Sequence, residues 1–446
     1  MKIIMPKNVK MIIDKLEKSG FEAYIVGGCV RDAVLGLEPK DWDITTSAKT
    51  DDIKNCFQDF KLLCNGEKHG TVGVIIDDEV YEITTFRIDG IYNDSRHPDN
   101  VEFTDSIEED LKRRDFTVNA IAYNSKRGIV DPFNGERDLS FKALRCVGNP
   151  EERFREDALR ILRALRFASV YNFSIEVETA YAMVRNRGLL NNIAVERIAS
   201  EFNKMLCGDN IGYILRRYKD IVAVIFPELV STFEFEQNNP NYNKTVWKQT
   251  TTAVANIKPD LLLRMVMLMH DIGKPISLET DSNKIDHFKS HNRFSMVFAR
   301  TALERLKYPT DFIDNVVLLI EYHNVHFSDN KRQIKHILNK IGEENFRKLL
   351  LVQKADILSQ SKYKREYKLN NLSLAENTLN SIIANDECFN LKKLAINGTD
   401  LLHLGITDGK TIGLILENLL DSVIDETIDN DNILLKKRAL EIFSQI

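Results

Sequence analysis

The sequence predicts an α+β protein: a head built on a mixed sheet, followed by an all-helical remainder. Two patterns and one break support this. Up to about residue 145, short β-branched runs alternate with helical stretches. From about residue 150 onward, apolar residues recur at helical spacing, in Phe154–Ser169, Val177–Val184, Ala194–Leu206, Leu261–His270, Arg293–Leu306, Phe312–Tyr322, Phe346–Leu358, Ile412–Leu420 and Ile433–Phe443, and no strand is expected after Val147. An Asn-rich stretch from Phe235 to Lys244, with Pro240 at its centre, breaks the helical part.

The head opens with a predicted strand, Phe21–Val26, closed by Gly27-Gly28 and followed by a short helix, Val30–Leu35. A second strand, Asp41–Thr46, begins with Asp41-Trp42-Asp43. Residues i and i+2 of a strand face one side, so both carboxylates project together. Such a pair repels unless a cation sits between, and Mg²⁺ is commonly held by one or two carboxylates plus substrate phosphates. Backbone N–H groups at the glycine turn and helix start would cradle those phosphates. Gly70–Ile76 and Val80–Arg87 are the next strands, joined by an Asp77-Asp78 turn. A polar, turn-forming stretch, Thr85-Phe86-Arg87 to Tyr92-Asn93-Asp94-Ser95-Arg96-His97-Pro98, reads as a mobile loop.

Two further motifs carry charge in a pattern. Leu111-Lys112-Arg113-Arg114-Asp115-Phe116-Thr117-Val118-Asn119-Ala120 is expected at a helix N-terminus, where Arg114 would pair with triphosphate oxygens and Asp115 or Asn119 with ribose hydroxyls; a plain charged helix start is the bland alternative. In Glu156-Asp157-Ala158-Leu159-Arg160-Ile161-Leu162-Arg163-Ala164-Leu165-Arg166-Phe167, an apolar stripe of Ala158, Ile161, Leu162 and Leu165 leaves Asp157 and Arg160 as i, i+3 neighbours on the polar side. That could be a surface ion pair only, worth about 0–1 kcal/mol. Yet Asp only accepts and Arg only donates. Side by side they match the donor-then-acceptor edges of cytosine and adenine and oppose those of uracil and guanine. Arg163 and Arg166 continue down the same side toward phosphates or RNA.

The glycine turn with Arg31-Asp32, the Asp-x-Asp, RRDFTVNA, Asp131-Pro132-Phe133-x-Gly135-x-x-Asp138-Leu139, EDALR and Ala194-Val195-Glu196-Arg197-Ile198, in this order, resemble the motifs of the DNA polymerase β superfamily. More narrowly, they are similar to its tRNA nucleotidyltransferase/poly(A) polymerase branch and to the bacterial class II CCA-adding enzymes. The resemblance implies a polymerase β-like catalytic head over 1–147, a base-reading helical neck over 148–235, a helical body over 236–365 and a tRNA-binding tail over 366–446. It implies two Mg²⁺ ions on Asp41 and Asp43, with Glu82 a weakly supported third carboxylate. Gly28, Arg31, Arg114, Asp115 and Asn119 would hold phosphates and ribose; Asp157, Arg160, Arg163 and Arg166 would read the base and face RNA. The partners implied are tRNA, CTP and ATP, with the loop at Tyr92–Pro98 needed for adding A. Arg216-Arg217 and Lys362–Lys368 are candidate tRNA contacts. An enzyme adding only A, or a poly(A) polymerase, shares these motifs and stays open.

His270-Asp271, followed by Ile272-Gly273-Lys274, and His291, His323, His326 and Asp356 resemble the HD phosphohydrolase fold, in which such side chains hold a metal. The upstream histidine of that ligand set has no counterpart; Gln249 stands in its expected position. The preferred reading is therefore an HD-like body kept as scaffold and RNA platform, with a metal-dependent phosphohydrolase as the alternative from another class.

Bulk properties narrow the field. At 446 residues, 43% hydrophobic and 28% charged, the chain has ordinary globular composition and room for roughly three or four domains. A net charge of −5 excludes attraction to nucleic acid by bulk charge, so RNA contact must come from local basic patches. Six cysteines without a C-x-x-C argue against a zinc ribbon and a disulfide framework. No signal-peptide core and no membrane-length apolar run is present, so a cytoplasmic protein free of the membrane is expected.

Overall fold

The computed structural model describes residues 2–90 and 101–445, so the loop expected at Tyr92–Pro98 lies outside the described residues. The chain forms two compact units, Met1–Pro227 and Glu228–Ile446.

In the first unit, α1 (Lys7–Lys18) leads into β1 (Ala23–Val26), α2 (Gly28–Val34), β2 (Ile44–Thr46) and α3 (Thr50–Cys56). Strands β3 (Lys61–Leu63), β4 (Thr71–Ile76) and β5 (Glu79–Thr85) follow, then β6 (Arg87–Asp89) and β7 (Val101–Phe103), α4 (Ile107–Lys112), β8 (Ala122–Asn124), β9 (Gly128–Val130) and α5 (Gly135–Ser140). Seven strands form one sheet in the order β3-β4-β5-β2-β1-β8-β9. Only the β2–β5 pairing is parallel, which makes the sheet mixed, as predicted. Asp77 and Asp78 both take positive φ (51° and 64°), the geometry that lets a two-residue turn follow the twist of β4 and β5. Ile12, Ile13 and Leu16 of α1 are buried with Ile25, Ile44 and Ile83 of the sheet, and this packing fixes the strand ends from which the site is built.

Asp41 and Asp43 sit in the lead-in to β2 rather than within it. Pairing still extends to them, because the Val26 N–H donates to the Asp43 carbonyl at 3.0 Å. Another expectation fails: a strand does occur after Val147. β10 (Ala143–Leu144) pairs in parallel with β11 (Ser174–Ile175), tying head to neck. The single helix expected over Phe154–Ser169 is two, α6 (Pro150–Glu156) and α7 (Leu159–Val170). Asp157 breaks it with φ −138° and ψ 101° while its carboxylate accepts the Leu159 N–H at 3.0 Å, the behaviour of an N-capping residue. Asp157 and Arg160 are therefore not i, i+3 neighbours on one helix. The unit closes with α8 (Val177–Asn186), α9 (Val195–Leu206), α10 (Ile211–Arg217) and α11 (Lys219–Ile225).

The second unit is helical: α12 (Val246–Asn256), α13 (Leu261–Met269), α14 (His291–Arg305), α15 (Thr310–Tyr322), α16 (Lys331–Ser359), α17 (Arg365–Ala384), α18 (Gly398–His403), α19 (Gly409–Ile424) and α20 (Asn432–Phe443). A small hairpin, β12 (Glu279–Thr280) with β13 (Asp286–His287), again departs from the expected absence of strands. The helix predicted at Phe346–Leu358 is the second arm of α16, which kinks at Gly342 (φ 75°). At the C-terminal end, Leu401, Ile406, Ile415, Leu419, Ile424 and Leu435 form a separate apolar cluster. No helix of the described residues is long and apolar enough to cross a membrane.

Candidate functional site

The glycine pair ends β1 and starts α2. Gly27 has φ 78°, and a Cβ there would lie 2.9 Å from Arg114 Nη1. The turn needs a residue without a side chain both for its conformation and to let Arg114 lie across it. Arg114 follows the C-terminal end of α4, not a helix N-terminus as predicted; Ser106 caps the other end of that helix. Asp110, one turn earlier on α4 and fully buried, accepts from Arg113 at 2.8 Å and from Arg114 at 3.4 Å. Burial opposes its charge, yet the two guanidiniums hold its carboxyl below the ordinary range. Sequence reasoning missed Asp110, although its i, i+3 and i, i+4 spacing to two arginines was the available signal.

Gly27, Gly28, Asp41, Asp43 and Arg114 line one side of a cavity of about 530 Å³. Arg31, Asp115 and Asn119 also line it, while α7 supplies Arg163, Arg166 and Phe167, with Val170 and Tyr171 at its end, and α9 supplies Lys204. Asp43 keeps an open face to the cavity, yet the surrounding protein and then the Asp41 charge push its carboxyl up, against the pull of Arg114. Two like charges set together in this way, with oxygen-only donors, suit a hard divalent cation. Glu82 does not line the cavity.

Arg31 is fully engaged. Its Nε donates to Asp32 at 2.9 Å, Nη1 to Asn119 Oδ1 at 2.7 Å and Nη2 to the Tyr171 hydroxyl at 2.6 Å, and its plane lies 4.4 Å from the Tyr171 ring. It thus braces the glycine turn against Asn119 and the end of α7. Asp115 accepts from Arg163 (Nη2, 2.6 Å) and from Asn119 (3.0 Å). Burial raises its carboxyl, but Arg163 and Asn119 outweigh it and hold it at about 2. Arg166 pairs with buried Glu201 at 3.1 Å.

The structure thus brings together Gly28, Arg31, Asp41, Asp43, Arg114, Asp115, Asn119, Arg163 and Arg166 of the sequence-derived candidates. Asp157 and Arg160 do not line the cavity. Arg160 is buried and donates to Glu156 at 2.8 Å and to the Arg113 carbonyl at 3.1 Å; Asp157 lies 3.6 Å from Arg197. Phe167, Tyr171 and Lys204 were not anticipated, since their proximity to the glycine turn comes only from long-range packing.

In the second unit, His270, Asp271, Lys274, His291, His323 and Asp356 gather around one buried point, whereas exposed His326 lies apart. Lys274 Nζ is 2.7 Å from Asp271 Oδ2, donates to Gln237 Oε1 at 3.1 Å and lies 4.0 Å from the centre of the Tyr242 ring. Gln249 donates to Asp356 Oδ1 at 3.0 Å and to Asp271 Oδ2 at 3.3 Å. Burial would discharge His270, but Asp271 and Asp356 beside it push it up to about 10. Burial likewise opposes the charge of Asp271, which His270 and Lys274 hold well below the carboxylate range.

Family models match along the chain: the Poly A polymerase head domain over residues 23–145, the Probable RNA and SrmB-binding site of polymerase A over 172–232, and tRNA nucleotidyltransferase domain 2 over 277–439. The chain is 34% identical to a CCA-adding enzyme of Ligilactobacillus salivarius, over 98% of this chain and 97% of that protein. It is 50% identical to the Enterococcus faecalis enzyme of the same name over 46% of this chain and 50% of that one. Among solved structures, the Bacillus stearothermophilus CCA-adding enzyme in complex with CTP superposes with TM-score 0.73 at 27% identity, covering 99% of both chains. The Thermotoga maritima CCA-adding enzyme complexed with tRNA shares the fold, at TM-score 0.61 and 21% identity over 98% of this chain and 96% of that one.

Proposed function

We propose, from the premise that this chain belongs to the CCA-adding enzyme family, that it adds the 3′-terminal CCA to tRNA from CTP and ATP without a nucleic-acid template, in the cytoplasm. The observation that supports this best is the single cavity in which Asp41 and Asp43, Arg114 across the glycine turn, and the Asp115–Arg163 pair face one another. Nucleotidyl transfer by this family implies a divalent metal; we take it to be two Mg²⁺ held by Asp41 and Asp43. When bound, the ions supply charge stabilisation on the phosphates and acidify the attacking 3′-hydroxyl.

The rest falls to the chain's own residues. Gly28 lets a phosphate approach the backbone, and Arg114, steadied by Asp110, offers its guanidinium to triphosphate oxygens. Asp115 and Asn119 accept from and donate to the ribose, while Arg31 sets the position of Asn119 rather than meeting phosphate itself. Arg163, Arg166 and Lys204 carry positive charge along the wall where RNA or pyrophosphate oxygens would lie. Asp157 and Arg160 remain our candidates for selecting C and A; to do so Arg160 must give up Glu156 and the Arg113 carbonyl. We retain the finer division into head, neck, body and tail at 147, 235 and 365, with tRNA read by shape and backbone through patches such as Arg216-Arg217 and Lys362–Lys368.

The test is to incubate the protein with tRNA ending at its discriminator base, supply CTP, ATP or both, and sequence the 3′ ends. Ends in CC with CTP alone and in CCA with both support the proposal. Addition of A alone to a tRNA already ending in CC, with no use of CTP, would make it an A-adding enzyme.

A further inference from the structure

We infer that the second unit holds a metal site of its own, formed by Asp271, His291 and His323, that takes one borderline divalent transition metal of the Zn²⁺ or Co²⁺ class. The argument begins with tautomers. His291 Nδ1 lies 2.7 Å from the Phe288 carbonyl and His323 Nδ1 lies 2.6 Å from the Ile320 carbonyl. A carbonyl only accepts, so both Nδ1 atoms carry the hydrogen and both Nε2 atoms present lone pairs in the neutral ring. Those two Nε2 atoms are 3.0 Å apart, and Asp271 Oδ1 lies 3.3 Å from one and 3.9 Å from the other. Three acceptor atoms thus converge on one point, an arrangement that repels unless a cation occupies it. A backbone carbonyl on the far ring nitrogen is also how ligating histidines are commonly oriented.

Spacing agrees with a single ion. With metal–nitrogen bonds of about 2.1 Å, two ligands at a right angle are about 3.0 Å apart and at the tetrahedral angle about 3.4 Å. Edges of 3.0, 3.3 and 3.9 Å outline one face of a coordination shell with further positions open. Two imidazoles and one carboxylate suit zinc, cobalt, iron(II) or manganese better than Mg²⁺.

The neighbouring half of the cluster is closed to a second ion. Asp271 Oδ2 is taken by the Lys274 ammonium at 2.7 Å, and Asp356 is met by Gln249 at 3.0 Å and Gln360 at 2.8 Å. The side chain at 249 is an amide committed to that closed half, so the three-ligand site does not depend on a histidine there. One metal per chain follows.

The test uses the full-length protein, stripped with chelator and titrated with CoCl₂. Wild type should bind one Co²⁺ per chain, with the visible absorption of a nitrogen-ligated cobalt, displaced by stoichiometric Zn²⁺ and untouched by millimolar Mg²⁺. His291→Gln and His323→Gln should each weaken binding by about a hundredfold, whereas the Asp41→Ala/Asp43→Ala double variant should keep the full cobalt signal. His291 lies at the first turn of α14, so its variant carries the comparison if His323→Gln does not fold. Absence of stoichiometric cobalt binding in wild type would mean that a shared proton bridges the two imidazoles, and the site would fall. Unchanged binding in His291→Gln, or loss of it in the Asp41/Asp43 variant, would equally overturn it.

Discussion

Asp41 and Asp43 in the first unit meet chiefly each other, with Arg114 acting on Asp43 across the cavity. Asp271 and Asp356 in the second are met by an ammonium, an imidazole and two amides, nearly all within 3.3 Å. Both places concentrate acids, but the first leaves its repulsion for a ligand to relieve and the second relieves most of it from within. Buried ion clusters that satisfy themselves hold a fold in one arrangement; acids left facing a cavity are set aside for chemistry, at some expense in stability. The difference separates a working site from a brace in a chain where both are rich in charge. It also isolates Asp271 Oδ1, facing two imidazole lone pairs, as the corner of the brace that is left open.

The largest effect should come from Asp41→Ala or Asp43→Ala. Loss of metal-linked charge stabilisation is worth several kcal/mol, so single-turnover addition should fall on the order of a thousandfold. Removing one of two repelling carboxylates should leave thermal stability unchanged or slightly raised, and tRNA affinity nearly intact, since that rests on basic patches. Turnover above a few per cent of wild type at saturating Mg²⁺ would show that these carboxylates are not the metal ligands.

Lys274→Met should behave in the opposite way. It strands the buried Asp271 carboxylate, and breaking a buried pair from one side typically costs about 3–5 kcal/mol. Urea unfolding should report that loss, while addition rates per folded molecule stay within about twofold of wild type. A variant as stable as wild type would mean that the cluster is not a brace.

Asp115 joins the two behaviours, being both saturated and in the cavity wall. Its carboxyl is held at about 2, below the ordinary value of 3.8. A depressed folded pKa adds stability that is present above about pH 4 and drains away as pH falls through about 2, on the order of 2 kcal/mol in all. Arg163→Met should therefore destabilise the protein at pH 7 by about that amount, and the gap to wild type should narrow between pH 4 and pH 2.5. A gap that stays constant would assign the stabilisation to packing instead.

How much of this was legible beforehand depends on range. The strand–glycine–helix turn, the Asp-x-Asp and the Asp77-Asp78 turn are local chemistry, visible in a few residues. Fold class followed from periodicity. What escaped was set by contacts far apart in sequence: Arg31 bonded to Asn119 and Tyr171, Lys204 reaching the cavity from α9, and Asp110 buried beneath Arg114. Strands of two or three residues, such as β3, β8 and β10, are too short to show alternation. Asp157 is the instructive error. Apolar spacing ran smoothly through it, so one helix was expected, but a capping side chain can end a helix that periodicity would continue. Gly342 in α16 made the converse point, since its positive φ kinks a helix whose two arms were not joined in the sequence reading.

Asp157 also yields the finest test, because the structure gives it one duty and the sequence suggests another. As a cap it accepts the Leu159 N–H with one oxygen, leaving the second, near Arg197, for a base amino group. Asp157→Ala removes both and should cost about 1 kcal/mol of stability. Asp157→Asn keeps an acceptor for the cap, which Asn fills as well as Asp, and replaces the second oxygen by a donor. Its stability should match wild type within a few tenths of a kcal/mol. If Asp157 selects the base, both variants should lose preference for CTP and ATP over UTP and GTP by roughly ten- to a hundredfold, the scale of a bidentate base contact worth about 1–3 kcal/mol. Single-nucleotide addition with each of the four triphosphates, alongside urea unfolding of both variants, separates the duties. Should Asp157→Asn keep the wild-type preference while Asp157→Ala loses only stability, Asp157 is a cap alone, and the acceptor–donor pair already facing the cavity, Asp115 with Arg163, becomes the one to examine as the reader of the base.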